Sequence, residues 1–199
     1  MGKKSGIYFL CLCLIGLSIL TGCGQEEKLS AESVKENTVL IRTDGTMDQY
    51  ITGTFDKEYY SEKDLKDFAE GKIKDYNKRE GGKRISLVSV HVEKQIASML
   101  IEYQSVEDYI IFNSQKGSFM TVGEAKLKDS LPDKLFEIEN NTEVSLEDTK
   151  LDEKWYVFSL SADTNIKVSG TIKYYNNAIL LNPSVVKAET EKEALIIFK

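Results

Sequence analysis

Apolar and polar positions along the chain alternate with different periods. The first clear pattern after residue 37 predicts a β-hairpin. Residues 38–55 ("TVLIRTDGTMDQYITGTF") contain two strand-like runs on either side of Asp44-Gly45. Asp-Gly between β-prone runs is a strong hairpin signal, because a type I′ turn requires positive φ at both central residues. We therefore expect two antiparallel strands joined by a type I′ turn.

A helical period follows this hairpin. Ser61 predicts the N-cap of a long helix, and Gly81-Gly82 predict its end. One apolar stripe at helical spacing comprises Leu65, Phe68, Ala69, Ile73 and Tyr76. We expect the stripe to be a core face, so that emptying the Phe68 site costs about 3–5 kcal/mol.

A second hairpin is predicted for residues 84–104 ("RISLVSVHVEKQIASMLIEYQ"). Alternate residues of a strand share a face, which groups the valines of the first strand and places them against the helix. These valines are Val88, Val90 and Val92. Ser105, with Asp108 three residues later, then predicts the cap of a short helix.

The C-terminal part is rich in strand patterns. Residues 128–153 are polar and acidic and resemble a connection with short strands, whereas residues 154–199 contain five strand-like runs. Strands and helices do not alternate regularly, which argues against a parallel α/β fold. The prediction is an α+β fold: an antiparallel sheet with one long amphipathic helix on a face (38–127), followed by a β-rich region (128–199) packed with it.

The N-terminal residues 1–22 have the three parts of an export signal. Lys3 and Lys4 precede an apolar run over 7–20 that is too short for a permanent membrane span. The run ends in Leu20-Thr21-Gly22-Cys23, the pattern of a bacterial lipobox. This predicts cleavage between Gly22 and Cys23 and a lipid on Cys23; the alternative is an ordinary secretory signal with a chance cysteine.

Composition and charge limit the classes of binding partner and of metal site that the chain could have. Residues 23–37 are polar and are predicted to form a lipidated tether whose removal leaves the fold nearly unaffected. Loss of the two leader lysines changes the formal net charge from −6 to −8, which argues against nucleic acid. Cys23 would then be the only cysteine, so neither a disulfide nor a cysteine-rich metal site is predicted. The expected location is the outer face of the cell membrane.

Several segments together resemble one protein family. They are "DGTMDQYITGTFDKEYYSEKDLKDF", "IEYQSVEDYIIFN", "TVGEA", "IKVSGTIKYYNN" and "ALIIFK". The chain is similar, over most of residues 23–199, to a family of uncharacterised lipoproteins of clostridial-type Gram-positive bacteria. The resemblance implies a lipid on Cys23 and no catalytic residue. Where the family has Val-Pro-Gly, this chain has Val168-Ser169-Gly170, which lacks the rigid turn residue.

Candidate catalytic residues are sparse. His91 is the one histidine, and its alternating strand pattern fits a partly exposed position better than a catalytic base. Paired carboxylates could serve a glycosidase, although among 32 acids chance pairs are expected. These pairs are Asp44/Asp48, Asp64/Asp67, Glu107/Asp108, Glu147/Asp148 and Asp152/Glu153. No metal site and no cofactor are predicted.

Adjacent tyrosines offer a different chemistry. Tyr59-Tyr60, and Tyr174-Tyr175 followed by Asn176-Asn177, could stack sugars, although one tyrosine of each strand pair is expected in the core. Two functional classes remain. The favoured one is a non-enzymatic lipoprotein that binds an envelope component, a protein partner or a small ligand. The alternative is a small carboxylate hydrolase acting on cell-wall glycan; a two-lobed transport receptor is weaker, because the chain is short.

Overall fold

The computed structural model describes residues 27–199, which form two β-sheets, three α-helices and one 3-10 helix. In spatial order, the larger sheet contains β11 (Ala178–Asn182), β12 (Val185–Ala188), β9 (Thr164–Val168), β1 (Thr38–Ile41), β2 (Met47–Thr54), β4 (Ile96–Tyr103) and β3 (Ile85–Glu93). The smaller sheet contains β5 (Lys116–Thr121), β8 (Tyr156–Ser161), β13 (Ala194–Phe198), β10 (Ile172–Asn176), β6 (Lys134–Glu137) and β7 (Thr142–Ser145). The α+β class is confirmed, and each sheet combines strands from both sides of residue 128.

Neighbouring strands in the two sheets are antiparallel, except for β1 and β9, which run parallel. Their pairing continues beyond the strands, because the Ser169 N–H donates to the Ile41 carbonyl at 2.9 Å. A proline at position 169 has no N–H and would lose this bond. The serine in Val168-Ser169-Gly170 therefore extends the contact between β1 and β9.

The long helix α1 (Glu62–Glu80) begins and ends where its sequence predicts. Ser61 accepts a hydrogen bond from the Asp64 N–H at 3.3 Å, and Gly81 adopts a left-handed φ of 72° while its N–H bonds to Asn77. These contacts satisfy backbone groups that a helix end otherwise leaves without partners.

The core face of α1 is narrower than the predicted stripe. Ala69, Ile73 and Tyr76 are buried, at positions i, i+4 and i+7. Phe68 is 64% exposed, and the Lys72 ammonium lies 5.5 Å from the centre of its ring. The prediction of a buried Phe68 is wrong, because α1 contacts the larger sheet through one narrow strip and Phe68 precedes that strip by one residue.

The two hairpins also form, with different turns from those expected. Between β1 and β2, the Gly45 N–H bonds to the Arg42 carbonyl, and Gly45 alone in this loop has positive φ, of 84°. This is a three-residue loop rather than a type I′ turn. Lys94 and Gln95, between β3 and β4, both have positive φ and form the two-residue connection instead. A bulge at Val88 leaves that valine exposed.

Three apolar clusters hold the described residues together. The largest joins the facing sides of both sheets with α1 and with α2 (Val106–Asn113). A second covers the outer side of the smaller sheet, where α3 (Val122–Leu127) and the segment around the 3-10 helix Leu146–Asp148 pack. The third lies on the outer side of the larger sheet, beneath residues 27–36, which we call the N-terminal strap.

Candidate functional site

The N-terminal strap is docked on the larger sheet, although its sequence predicts a free polar tether. Leu29 is 4% exposed and packs with Leu40, Tyr50 and Leu100, and Val34 packs partly against the same cluster. Leu29 and Val34 are the two strap residues that pack into this cluster, and they do not form a periodic stripe. The pocket that receives Leu29 comes from three strands, which explains why the sequence of the strap alone does not indicate it.

A buried ion pair fixes the start of the strap. Arg42 donates to both carboxylate oxygens of Asp48, at 3.0 Å and 2.6 Å, and both side chains are almost fully buried. Arg42 also donates twice to the Glu27 carbonyl, at 2.9 Å and 2.7 Å. The Leu29 N–H donates to Asp48 at 3.0 Å. A bidentate pair with further hydrogen bonds is the arrangement that compensates the desolvation of buried charges.

Two shallow grooves flank the strap on the outer side of the larger sheet. Both include Val34 and Lys35 in their walls. One has a volume of about 360 Å³ and contains His91 beside Tyr50, and the other, of about 390 Å³, contains Lys167. The His91 ring lies 3.9 Å from the Glu93 carboxylate, and both side chains are largely exposed. Ser98 lies opposite His91 on β4, but its hydroxyl donates to the His91 carbonyl at 3.5 Å and not to the ring. The contacts of His91 therefore differ from those of a catalytic triad, in which a buried carboxylate orients the ring towards a serine hydroxyl.

A second buried acid, Asp108, connects the two largest helices. It accepts hydrogen bonds from the Ser105 hydroxyl at 2.7 Å and the Tyr76 hydroxyl at 3.1 Å, and Arg84 lies 4.0 Å away. Burial, followed by the bond to Asp108, raises the pKa of Tyr76 to about 12. Ser105 caps α2 by accepting the Asp108 N–H at 3.1 Å, and the Asp108 carboxylate holds Tyr76 of α1 against α2, which is a structural role.

The other predicted acid pairs also have local contacts. Asp44 accepts from the N–H and the hydroxyl of Thr46 in the first turn. Asp67 binds Lys63 on the exposed side of α1, and Asp152 accepts from the Lys154 N–H. Glu147 and Asp148 lie exposed in the 3-10 helix. Nowhere in residues 27–199 does a buried side-chain nitrogen or oxygen lack a hydrogen-bond partner.

The two tyrosine pairs differ sharply in exposure. Tyr174 and Tyr175 are both buried, on opposite sides of the smaller sheet, and the Tyr175 hydroxyl bonds to Asn141. Tyr59 and Tyr60 are exposed and lie in the loop between β2 and α1. Of the aromatic pairs suggested by the sequence, Tyr59-Tyr60 is therefore the one with accessible ring faces.

Residues 27–199 contain no group of three or more histidine, cysteine, aspartate or glutamate side chains that could hold a metal ion. Within the same range, no helix is both long enough and apolar enough to cross a membrane. Cys23 and the predicted cleavage position lie outside the described residues.

Comparison with known proteins adds no family. The chain matches no protein-family model, no curated protein and no solved structure.

Proposed function

We propose that the protein is a lipoprotein anchored on the outer face of the cell membrane, where it binds an envelope component, a protein or a small ligand. The observation that carries the proposal is the sequence Leu20-Thr21-Gly22-Cys23 at the end of a short apolar run that follows two lysines. In this proposal, diacylglycerol is attached to Cys23 and the chain is cleaved before it. Two acyl chains hold a protein stably, since each buried CH₂ contributes about 0.8 kcal/mol.

The docked strap places the proposed lipid attachment close to one end of the larger sheet. Glu27 follows Cys23 by four residues, which span at most about 14 Å even when fully extended. Its carbonyl is held by Arg42, at the end of β1 and next to the loop that leads to β2. A lipid on Cys23 would therefore keep that end of the larger sheet close to the bilayer.

The contacts of the buried aspartates favour a binding function over glycan hydrolysis. Asp48 and Asp108 are the two buried carboxylates among the described residues, and both are engaged by neighbouring side chains in structural roles. A retaining or inverting glycosidase instead needs two carboxylates that face each other across a cleft. The formal net charge of −8 after removal of the leader argues against nucleic acid as a partner.

The anchor can be tested with a matched pair of cysteine variants. We expect the full chain, expressed in a Gram-positive host with a labelled fatty acid, to carry label and to fractionate with membranes. Cys23→Ala should lose the label, whereas Cys11→Ala, in the apolar run, should keep it. Labelling of the Cys23→Ala chain at the level of the original chain would overturn the proposal.

A further inference from the structure

Three aromatic residues form a cluster between β2 and α1, which we call the aromatic surface: Phe55, which is half-buried, and Tyr59 and Tyr60, which are exposed. The centres of the Phe55 and Tyr60 rings are 4.6 Å apart, and those of Tyr59 and Tyr60 are 4.9 Å apart, with the latter pair edge to face. Tyr59 is 78% exposed and Tyr60 is 44% exposed. Contiguous exposed apolar side chains indicate an interaction site more strongly than isolated ones do.

The backbone around the aromatic surface is fixed on both sides. The Phe55 N–H donates to the Gln95 carbonyl at 2.7 Å, which ties the first ring to the turn between β3 and β4. The Tyr60 N–H donates to the Lys57 carbonyl at 2.9 Å, and the next residue caps α1. Glu62 accepts from the Val92 N–H at 3.0 Å. The rings are therefore positioned before any ligand arrives, which lowers the entropic cost of binding.

The aromatic surface lies at the opposite end of β2 from the anchored end of the strap. Asp48, which binds the Leu29 N–H, is the second residue of β2, and Phe55 directly follows its last residue. Seven residues of strand separate these positions by roughly 23 Å. The rings therefore lie at the end of β2 that the proposed lipid on Cys23 does not hold, which argues against the anchoring membrane as their ligand.

The charge near the aromatic surface and the area of its rings limit the class of ligand further. Residues 55–62 contain three acids, Asp56, Glu58 and Glu62, and one lysine, so a polyanion such as nucleic acid is disfavoured. An aromatic side chain can bury about 150–250 Å² at most, and these rings are partly covered by one another. Their combined area is well below the roughly 800 Å² per partner of a stable protein complex. It is comparable to the area of a few sugar units.

We propose that the aromatic surface binds a neutral polysaccharide strand. One face of a pyranose ring carries C–H groups that pack on an aromatic ring, and the hydroxyl groups around its edge can donate to Asp56 and Glu58. The choice of a glycan rests on the proposed location outside the cell membrane, where cell-wall polysaccharide lies above the bilayer. The aromatic surface itself is independent of the lipid.

The test uses the full chain purified in detergent and N-acetylchitotetraose as the probe, with binding measured by calorimetry. We expect saturable binding, and Tyr59→Ala should weaken it at least about tenfold, which corresponds to 1.4 kcal/mol. Tyr59→Phe keeps the ring and should retain affinity within about twofold. Leu127→Ala is the surface control, because Leu127 is 90% exposed on α3 and outside the aromatic surface.

Two results would overturn the proposal: no binding of the probe at millimolar concentration, or equal affinity of the Tyr59→Ala and original chains. Circular dichroism melts of Tyr59→Ala show whether the variant is folded, and Tyr60→Ala provides a second test of the same surface. The Cys23→Ala chain should bind the probe as the original chain does. Failure of lipid attachment and failure of glycan binding are therefore measured separately.

Discussion

The backbone N–H of Leu29 donates to the Asp48 carboxylate at 3.0 Å, next to the bonds that the same carboxylate accepts from Arg42. A residue of the N-terminal strap thereby completes the coordination of an ion pair that belongs to the β1–β2 hairpin. The contact makes the strap part of the folded structure, although most of its residues are polar.

Removal of the Asp48 carboxylate should destabilise the fold strongly. Asp48→Ala takes away the charge that compensates the buried Arg42 guanidinium, and breaking a buried pair in this way costs about 3–5 kcal/mol. Asp163→Ala, which removes an exposed partner of Lys187, should cost less than about 1 kcal/mol. Urea melts measure both changes, and similar midpoints for the two variants would contradict a structural role for the buried pair.

Truncation of the Leu29 side chain should cost about 2–5 kcal/mol, the usual range for a buried leucine. Glu32→Ala, an exposed position of the same strap, should change the free energy of unfolding by less than about 0.5 kcal/mol. A chain beginning at residue 37 should be destabilised as well, because it lacks both Leu29 and the Glu27 carbonyl. Equal thermal stability of this shorter chain would support the free tether that the sequence predicts.

Phe68→Ala should leave stability nearly unchanged, because the ring is mostly exposed. We expect a loss below about 1 kcal/mol, compared with about 2–5 kcal/mol for Ile73→Ala on the buried strip. Denaturant melts of the two variants provide the comparison. A larger loss of stability for Phe68→Ala than for Ile73→Ala would mean that α1 packs on the sheet through the face that contains Phe68, and would contradict the burial of Ile73.

Alkaline pH should reveal the burial of the tyrosines. Burial raises the pKa of Tyr109 to about 12, from about 10 in the unfolded chain. Above pH 10 the unfolded chain loses this proton while the folded chain keeps it, so the free energy of unfolding falls as pH rises. The contribution is fully present below pH 10 and declines by about 1.4 kcal/mol per pH unit up to about pH 12.

The Tyr109→Phe variant isolates this effect, since phenylalanine has no hydroxyl to titrate. Between pH 10 and pH 12, urea melts should show a smaller loss of stability for this variant than for the original chain. Parallel losses in the two chains would contradict a raised pKa at Tyr109. Other groups titrate in the same range, but they do so in both chains and cancel in the comparison.

Local signals in the sequence predict much of this fold. Ser61 and Ser105 cap the helices that follow them, Gly81 ends α1, and Asp44-Gly45 joins two strands. Each of these signals depends on residues within four positions of one another, so a single sequence contains the whole interaction. The turn type at Gly45 is harder to predict from the sequence, because it depends on the register of the strands that enter the loop.

The remaining features depend on distant partners. β1 pairs with β9, whose residues lie more than 120 positions later, and neither strand sequence identifies the other. Leu29 is buried because β1, β2 and β4 together form its pocket. Phe68 is exposed because the buried strip of α1 consists of Ala69, Ile73 and Tyr76 and does not extend to it. The aromatic surface was partly predictable, since Tyr59-Tyr60 is visible in the sequence, but Phe55 joins it only through the fold.

The position of β13 has a consequence for how the protein is made. Residues 194–198 occupy the interior of the smaller sheet, between β8 and β10, and β9 and β12 likewise extend the larger sheet beyond β1. A chain that emerges N-terminus first, from a ribosome or an export channel, cannot complete the larger sheet before β12 has emerged, or the smaller sheet before β13 has emerged. Such late, long-distance pairing slows folding. The smaller sheet therefore stays divided until β13 arrives, and loss of residues 194–198 would leave β8 and β10 without the strand that joins them.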